Sequence, residues 1–230
     1  RIRMQPHDFW QEIHSPGTFG PVESHTGFFP AELEDGRQIK LPIRALPDGE
    51  HALASLIINQ ASFTVQDALG KALAEKLKVF EPEVVVGLPT LGLTLASAVA
   101  RELGHSRYVP LGTSRKFWYQ DEISVSLSSI TTPDQRKRLY VDPRMLPLLE
   151  GRRVALIDDV ISSGASMLAG LQLLSTCRID PVVLGVAMVQ TQRWRGLLEN
   201  KIPTSSAKVV GVFNTPILTG TRQGDWIEKD

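Results

Sequence analysis

The stretch VALIDDVISSGAS, residues 154–166, is the most informative part of the chain. Its first four residues are apolar, as in a strand that is covered on both faces. Two adjacent carboxylates, Asp158 and Asp159, follow at the expected end of this strand. A turn of small residues around Gly164 then leads into a helical pattern. This order places an acidic pair beside the N-terminus of a helix.

The turn after the acidic pair is suited to binding a phosphate. Its backbone N–H groups and the hydroxyls of Ser162, Ser163 and Ser166 are expected to converge on an anion at the helix N-terminus. Gly164 allows a ligand to approach the backbone closely. The carboxylates can bind sugar hydroxyls or a metal, so the segment indicates a phosphorylated sugar. The alternative is a capped strand–helix turn with two solvated aspartates.

The same alternation of strand and helix extends in both directions. Residues 84–86 and 182–189 also predict buried strands, and residues 93–103 and 166–177 predict helices. Alternation of this kind predicts an α/β fold with a Rossmann-like parallel sheet flanked by helices, here over residues 60–200. In such sheets, ligands bind at the carboxyl ends of the strands.

The two ends of the chain predict a smaller substructure within one domain of residues 1–230. Residues 28–33 and 38–44 indicate two strands joined at Asp35-Gly36, a dipeptide typical of hairpins. We expect residues 1–50 and 205–230 to form this hood subdomain beside the α/β core.

Composition excludes several classes of protein. The 230 residues are 42% hydrophobic and 22% charged, which is typical of a globular domain. The formal net charge of zero argues against a nucleic-acid partner. Cys177 is the only cysteine, which excludes a disulfide framework and favours a reducing, cytoplasmic location. No apolar run is long enough to cross a bilayer, so we expect no membrane partner.

The acidic segment resembles the signature of type I phosphoribosyltransferases, and the layout of the chain is closest to the adenine- and xanthine-type members. That signature has an apolar strand, two acidic residues, an apolar pair and a Ser/Thr-Gly-rich loop. The resemblance implies that Asp158 and Asp159 are catalytic and hold the ribose hydroxyls of phosphoribosyl pyrophosphate (PRPP). The residues that it implies for binding the 5′-phosphate are Ile161, Ser162, Ser163, Gly164, Ala165 and Ser166.

The implied reaction is transfer of the 5-phosphoribosyl group from PRPP to a nucleobase, preferably a purine, with release of pyrophosphate. The implied cofactor is Mg²⁺, which Asp158 and Asp159 would hold directly or through water or ribose hydroxyls. A homodimer is also implied.

A second loop follows the strand at residues 84–86, and two interpretations of it remain open. One is a degenerate P-loop that has Leu93 in place of the lysine and that would bind ATP through Thr94. The other is the pyrophosphate loop of the phosphoribosyltransferases, although the charged residues that members often carry there are absent. The residues of this loop are Leu88, Pro89, Thr90, Leu91 and Gly92.

A third segment supplies positive charge. Arg115 and Lys116 match a basic pair that, in the family, belongs to a mobile hairpin and contacts pyrophosphate, often in the neighbouring subunit. A solvated basic loop is the alternative. Adenine-type members carry a glutamate in this hairpin that is thought to handle the base proton. No glutamate is in register here, and Glu122 and Asp134 are the available substitutes.

In the family the hood recognises the base, so its aromatic residues are candidates for base stacking. The candidates are Phe28, Phe29 and Trp10, together with Phe213 in residues 210–213, which resemble a strand with base contacts in purine enzymes. The alternative is that these side chains only pack the hairpin. A different function also remains open, namely a sensor or regulator that binds PRPP without turning it over.

Overall fold

The structure is a computed structural model that describes residues 4–129 and 132–229, with the backbone alone for residues 128–129 and 132–136. Within this part of the chain the strands form two five-stranded sheets and one two-stranded hairpin. The strands of the large sheet are β4 (Val84–Gly87), β5 (Val109–Pro110), β8 (Val154–Ile161), β9 (Val183–Gln190) and β10 (Val209–Thr215). The strands of the small sheet are β1 (Phe28–Glu32), β2 (Gln38–Ala45), β3 (His51–Ala54), β11 (Ile217–Gly220) and β12 (Trp226–Glu228). The hairpin consists of β6 (Ser124–Ser129) and β7 (Thr132–Tyr140).

The large sheet is parallel throughout, in the order β10-β9-β8-β4-β5. Its helices are α1 (Phe63–Leu77), α2 (Leu91–Glu102), α3 (Leu146–Leu149), α4 (Ala165–Thr176) and α5 (Trp194–Lys201). Helices α1 and α2 pack on one face of the sheet, and α4 and α5 belong to the hydrophobic cluster on the other face. Strands β8 and β9 are buried on both sides, which explains their apolar composition. The predicted α/β fold is confirmed.

The small sheet has the order β1-β2-β3-β11-β12, and its registered strand pairs are antiparallel. The predicted hairpin is present, with Phe29 opposite Leu41 and a turn at Gly36, whose φ is 87°. Strand β10 pairs in parallel with β9 and so belongs to the large sheet, not to the small one. Its Phe213 is buried in the core cluster that α1 also lines. The division into hood and core stays a prediction.

The hairpin of β6 and β7 packs against α4. Asp134, one of the two candidates for the family's hairpin glutamate, has a side chain that lies outside the described residues. Among residues 4–129 and 132–229, no helix has both the length and the apolar character that spanning a membrane requires.

Candidate active site

The acidic pair lies within a strand, whereas the sequence suggested that it follows one. Strand β8 continues to Ile161 because β9 keeps pairing with it beyond Asp158, which is opposite Val186. On the other side, β4 ends at Gly87, opposite Ile157. The acidic pair is therefore at the carboxyl edge of the sheet on the β4 side only, which is where a ligand can reach it.

The two carboxylates are buried, and no described residue gives them a cationic partner. Asp158 is 6% exposed and Asp159 is 8% exposed, and neither forms an ion pair within the part of the chain that the structure describes. The Asp159 N–H donates to Oδ1 of Asp158 at 2.9 Å. Burial, followed by the negative charge of Asp159, raises the pKa of Asp158 well above its ordinary value. Burial also raises the pKa of Asp159, although a hydrogen bond with the Asp158 side chain opposes this rise.

A buried pair of acids without a counter-charge is unfavourable for folding. Perturbed carboxyl groups of this kind are typical of functional sites, where a ligand supplies the missing partners. Hydroxyl groups and a hard cation are the partners that suit carboxylate oxygens.

The segment after β8 forms a loop that suits an anion. Gly164 precedes α4 with a φ of 88°, and a Cβ atom there would lie 3.1 Å from Cβ of Trp194. The N–H groups of Ser163, Gly164 and Ser166 donate to no acceptor among the described residues. These donors and the serine hydroxyls lie at the N-terminus of α4, where an anion is favoured.

The loop between β4 and α2 lies directly against the acidic pair. A Cβ atom at Gly92 would lie 2.8 Å from Oδ1 of Asp158 and 3.0 Å from its Cα atom, so only glycine allows this approach. The structure thus brings together the two loops and the acidic pair that the sequence analysis selected separately.

The residues of this loop differ in what they can offer a ligand. Leu88 has a buried side chain, and its N–H already donates to the carbonyl of Ile157 at 2.9 Å. Pro89 has no N–H group and is joined to Thr90 by a cis peptide bond. The N–H groups of Thr90, Leu91 and Gly92 have no acceptor among the described residues, so they are the donors of this loop.

The basic pair lies in an exposed segment between β5 and β6. Arg115 is paired through Nε with Oδ1 of Asp121 at 2.8 Å, and Lys116 is exposed. Glu122, the other candidate for the hairpin glutamate, is exposed in the same segment. No contact joins Arg115 or Lys116 to the acidic pair among the described residues.

A cleft of about 290 Å³ separates the small sheet from the carboxyl ends of β8 and β9. Gln190 spans part of it, since its Nε2 donates to the carbonyl of Ala54 at 2.8 Å. Arg44 is exposed and forms no ion pair with any residue that the structure describes. The residues that line the cleft are Arg44, Leu46, Leu53, Ala54, Ser55, Leu56, Asp159, Val160, Met188 and Gln190.

None of the predicted aromatic candidates lines this cleft. Phe29 and Phe213 are buried, with 7% and 3% exposure, in the core cluster. The ring of Phe28 packs 5.2 Å from that of Phe19. Trp10 is buried and donates through Nε1 to the carbonyl of Ser55. Their placement favours the packing role that the sequence analysis gave as the alternative.

Two positively charged residues that the sequence analysis did not select lie at the site. Arg44 lines the cleft together with Asp159, and Arg193 donates from Nη2 to Oγ of Ser162 at 2.6 Å. Arg193 follows β9, and the carboxyl ends of neighbouring parallel strands share one edge, so its position after a predicted strand was the available signal. Arg44 had no such signal.

Comparison with known proteins identifies the family. Residues 58–216 match the family model described as the phosphoribosyl transferase domain. The chain belongs to the phosphoribosyltransferase family. The sequence resemblance is therefore confirmed, and the P-loop interpretation of residues 87–94 is not supported. In agreement with this, the Thr94 hydroxyl, which a P-loop would use for its ligand, donates to Oδ1 of Asn59.

Two curated relatives of this phosphoribosyltransferase are named for purine bases. The chain is similar to xanthine phosphoribosyltransferase of Exiguobacterium sp., with 27% identity over 161 residues, which are 69% of this chain and 78% of the relative. It is also similar to adenine phosphoribosyltransferase of Albidiferax ferrireducens, with 32% identity over 111 residues, 47% of this chain and 52% of the relative.

Solved structures agree on the phosphoribosyltransferase fold. The APRTase from Giardia lamblia in complex with 9-deazaadenine has a TM-score of 0.58 and 22% identity, covering 75% of this chain and 93% of that one. Adenine phosphoribosyltransferase from Leishmania tarentolae has a TM-score of 0.55 and 18% identity, covering 74% of this chain and 78% of that one. At these identities, the likeness establishes the type I fold.

Proposed function

We propose that this chain transfers the 5-phosphoribosyl group of PRPP to a purine-type nucleobase and releases pyrophosphate. The observation that carries the proposal is a buried carboxylate pair in a phosphoribosyl transferase domain. Among the described residues the pair has no counter-charge, and the two loops beside it have N–H donors without an acceptor. The base attacks C1 of the ribose as the C1–O bond to pyrophosphate breaks, and the product is a nucleoside 5′-monophosphate.

The sugar phosphate occupies the edge of β8 in this proposal. The loop of Ile161, Ser162, Ser163, Gly164, Ala165 and Ser166 binds the 5′-phosphate. Asp158 and Asp159 accept hydrogen bonds from the ribose hydroxyls, which satisfies the buried carboxylates. Their negative charge also offsets the positive charge that grows on the ring as the leaving group departs.

Pyrophosphate occupies the other loop, Leu88, Pro89, Thr90, Leu91 and Gly92. The N–H groups of its last three residues face the anion, and the first two shape the loop. Arg115 and Lys116 follow the leaving group, and since Arg115 pairs with Asp121 through Nε, the N–H groups on its Nη atoms remain for the anion. Movement of the segment between β5 and β6 over the site would exclude water from the reactive sugar.

Mg²⁺ dependence is part of the proposal, and the donor set fits it. No cluster of three or more histidine, cysteine or acidic ligands occurs among residues 4–129 and 132–229. The two carboxylates of Asp158 and Asp159 are instead what Mg²⁺ commonly uses when substrate oxygens and water complete its shell. When bound, the ion would neutralise charge on pyrophosphate.

We place the base in the cleft beside Asp159, between the two sheets. Apolar side chains such as Leu56 and Met188 give the cleft a surface for a flat ring, and Arg44 supplies hydrogen-bond donors only. This favours a base with ring carbonyl oxygens. A homodimer, a cytoplasmic location and a role in nucleotide salvage are further parts of the proposal.

The test is pyrophosphate release from PRPP with Mg²⁺ and a panel of purine and pyrimidine bases. We expect turnover with at least one purine. Asp159→Asn should lower kcat/KM at least about 100-fold, because it removes charge while keeping volume. Asp67→Asn, on the exposed face of α1, is the matched control and should retain full turnover. Binding of PRPP without turnover on any base would instead favour a sensor.

A further inference from the structure

The loop that receives the 5′-phosphate has no charged side chain of its own. Ser162 to Ser166 offer hydroxyls and backbone N–H groups only. A phosphate dianion is bound more tightly where a cation adds a charge-assisted hydrogen bond. The structure supplies that cation from a different element, the segment between β9 and α5.

Arg193 contacts the loop directly. Its Nη2 donates to Oγ of Ser162 at 2.6 Å, and the Ser162 hydroxyl therefore keeps its own proton for another acceptor. Arg193 is exposed and forms no ion pair with a carboxylate in the described part of the chain. A guanidinium carries five N–H donors, so several remain for a ligand beside Ser162.

The backbone around Arg193 is firmly held. Thr191 has a φ of 59°, an unfavourable value for a β-branched residue that the surrounding contacts must hold in place. Its N–H donates to the carbonyl of Thr215 at 2.9 Å, and its own carbonyl accepts from Nε1 of Trp194 at 3.1 Å. Trp194 is buried against Gly164 of the phosphate loop. The segment is thereby fixed to that loop.

We propose that Arg193 binds the 5′-phosphate of PRPP and supplies the positive charge that the loop lacks. The proposal rests on the function proposed above. The cations of the site then bind different groups of PRPP. Arg193 binds the 5′-phosphate, and Arg115 and Lys116 bind pyrophosphate.

The experiment measures the binding of three ligands by calorimetry with Mg²⁺ present: PRPP, ribose 5-phosphate and pyrophosphate. For Arg193→Gln we expect the affinities for PRPP and ribose 5-phosphate to fall about 10- to 100-fold. Its affinity for pyrophosphate should stay unchanged. Arg193→Lys should recover part of the loss, because it restores the charge without the planar fork.

Arg195→Gln is the matched control. Its guanidinium lies 4.5 Å from the centre of the Trp194 ring and makes no contact with the phosphate loop among the described residues. We expect wild-type affinity for all three ligands. Thermal unfolding of each variant should give the wild-type Tm, since the Arg193 and Arg195 side chains are both exposed.

Three outcomes would overturn the proposal. Unchanged affinity of Arg193→Gln for ribose 5-phosphate removes Arg193 from the site. A loss of affinity for pyrophosphate alone would mean that Arg193 binds the leaving group. A lowered Tm together with no recovery in Arg193→Lys makes its role structural. If wild-type protein binds ribose 5-phosphate through Arg193 but turns over no base, the proposed function fails and this phosphate site stands.

Discussion

At the residue scale, the acidic pair of the site lowers the stability of the folded protein. Asp158 and Asp159 are buried side by side with no cationic partner among the described residues, although an apolar pair of similar volume would be at least as stable there. Such a conflict is expected where binding a ligand, not folding, explains the residue types. The pair is visible in the sequence because two adjacent acids directly follow an apolar run.

Asp158→Asn should stabilise the protein in the absence of ligand. Because the folded-state pKa of Asp158 is raised, the folded chain binds its proton more tightly than the unfolded chain does. The free energy of unfolding therefore falls as pH rises from the ordinary pKa through the raised one. Urea unfolding at several pH values in metal-free buffer should show a smaller fall for the variant and a higher free energy of unfolding than wild type at pH 8. A variant less stable than wild type at pH 8 contradicts the account.

Arg44→Gln should weaken binding of the base and leave PRPP binding intact. Arg44 lines the cleft with Asp159 and is not committed to another described residue, so its donors are available to ring carbonyl oxygens. Steady-state kinetics should show KM for an oxopurine raised about 10-fold with KM for PRPP unchanged. An equal rise in both KM values would contradict a contact of Arg44 with the base alone and would indicate that Arg44 binds PRPP.

At the scale of elements, the loops after the strands form the site, and glycines allow them to approach each other. The sequence predicted the buried strands and their helices because continuous apolar runs and helical spacing are local properties. It did not predict the length of β8, since pairing with β9 extends that strand through the acidic pair. Helix α1 is capped by Ser62, whose hydroxyl accepts from the Val65 N–H.

Gly164→Ala should reduce affinity for ribose 5-phosphate, and Gly104→Ala should not. Both glycines have positive φ, 88° and 79°, so both variants should lose about 1 kcal/mol of stability. Only at Gly164 does the new methyl group meet another residue, Trp194, at 3.1 Å, while nothing lies within 4 Å at Gly104. Calorimetry on the two variants separates backbone strain from distortion of the phosphate loop. Equal affinity in both would mean that the shape of this loop is unimportant for binding.

At the scale of the whole molecule, the cleft arises where the small sheet meets the carboxyl ends of β8 and β9. Arg44 and Gln190 are far apart in sequence, and their meeting depends on how two sheets pack, so no local pattern predicted it. The aromatic candidates Phe29 and Phe213 illustrate the same limit. Their type suggested base stacking, and only tertiary packing placed them in the core.

The central claim is that one surface at the edge of the large sheet binds all parts of PRPP. Titration calorimetry of PRPP into the intact chain with Mg²⁺ tests it most directly. The account predicts saturable binding at one site per chain, weakened in Arg193→Gln and in Gly164→Ala and unchanged in Arg195→Gln. Absence of any binding heat from PRPP across several temperatures, with the protein folded, would contradict it.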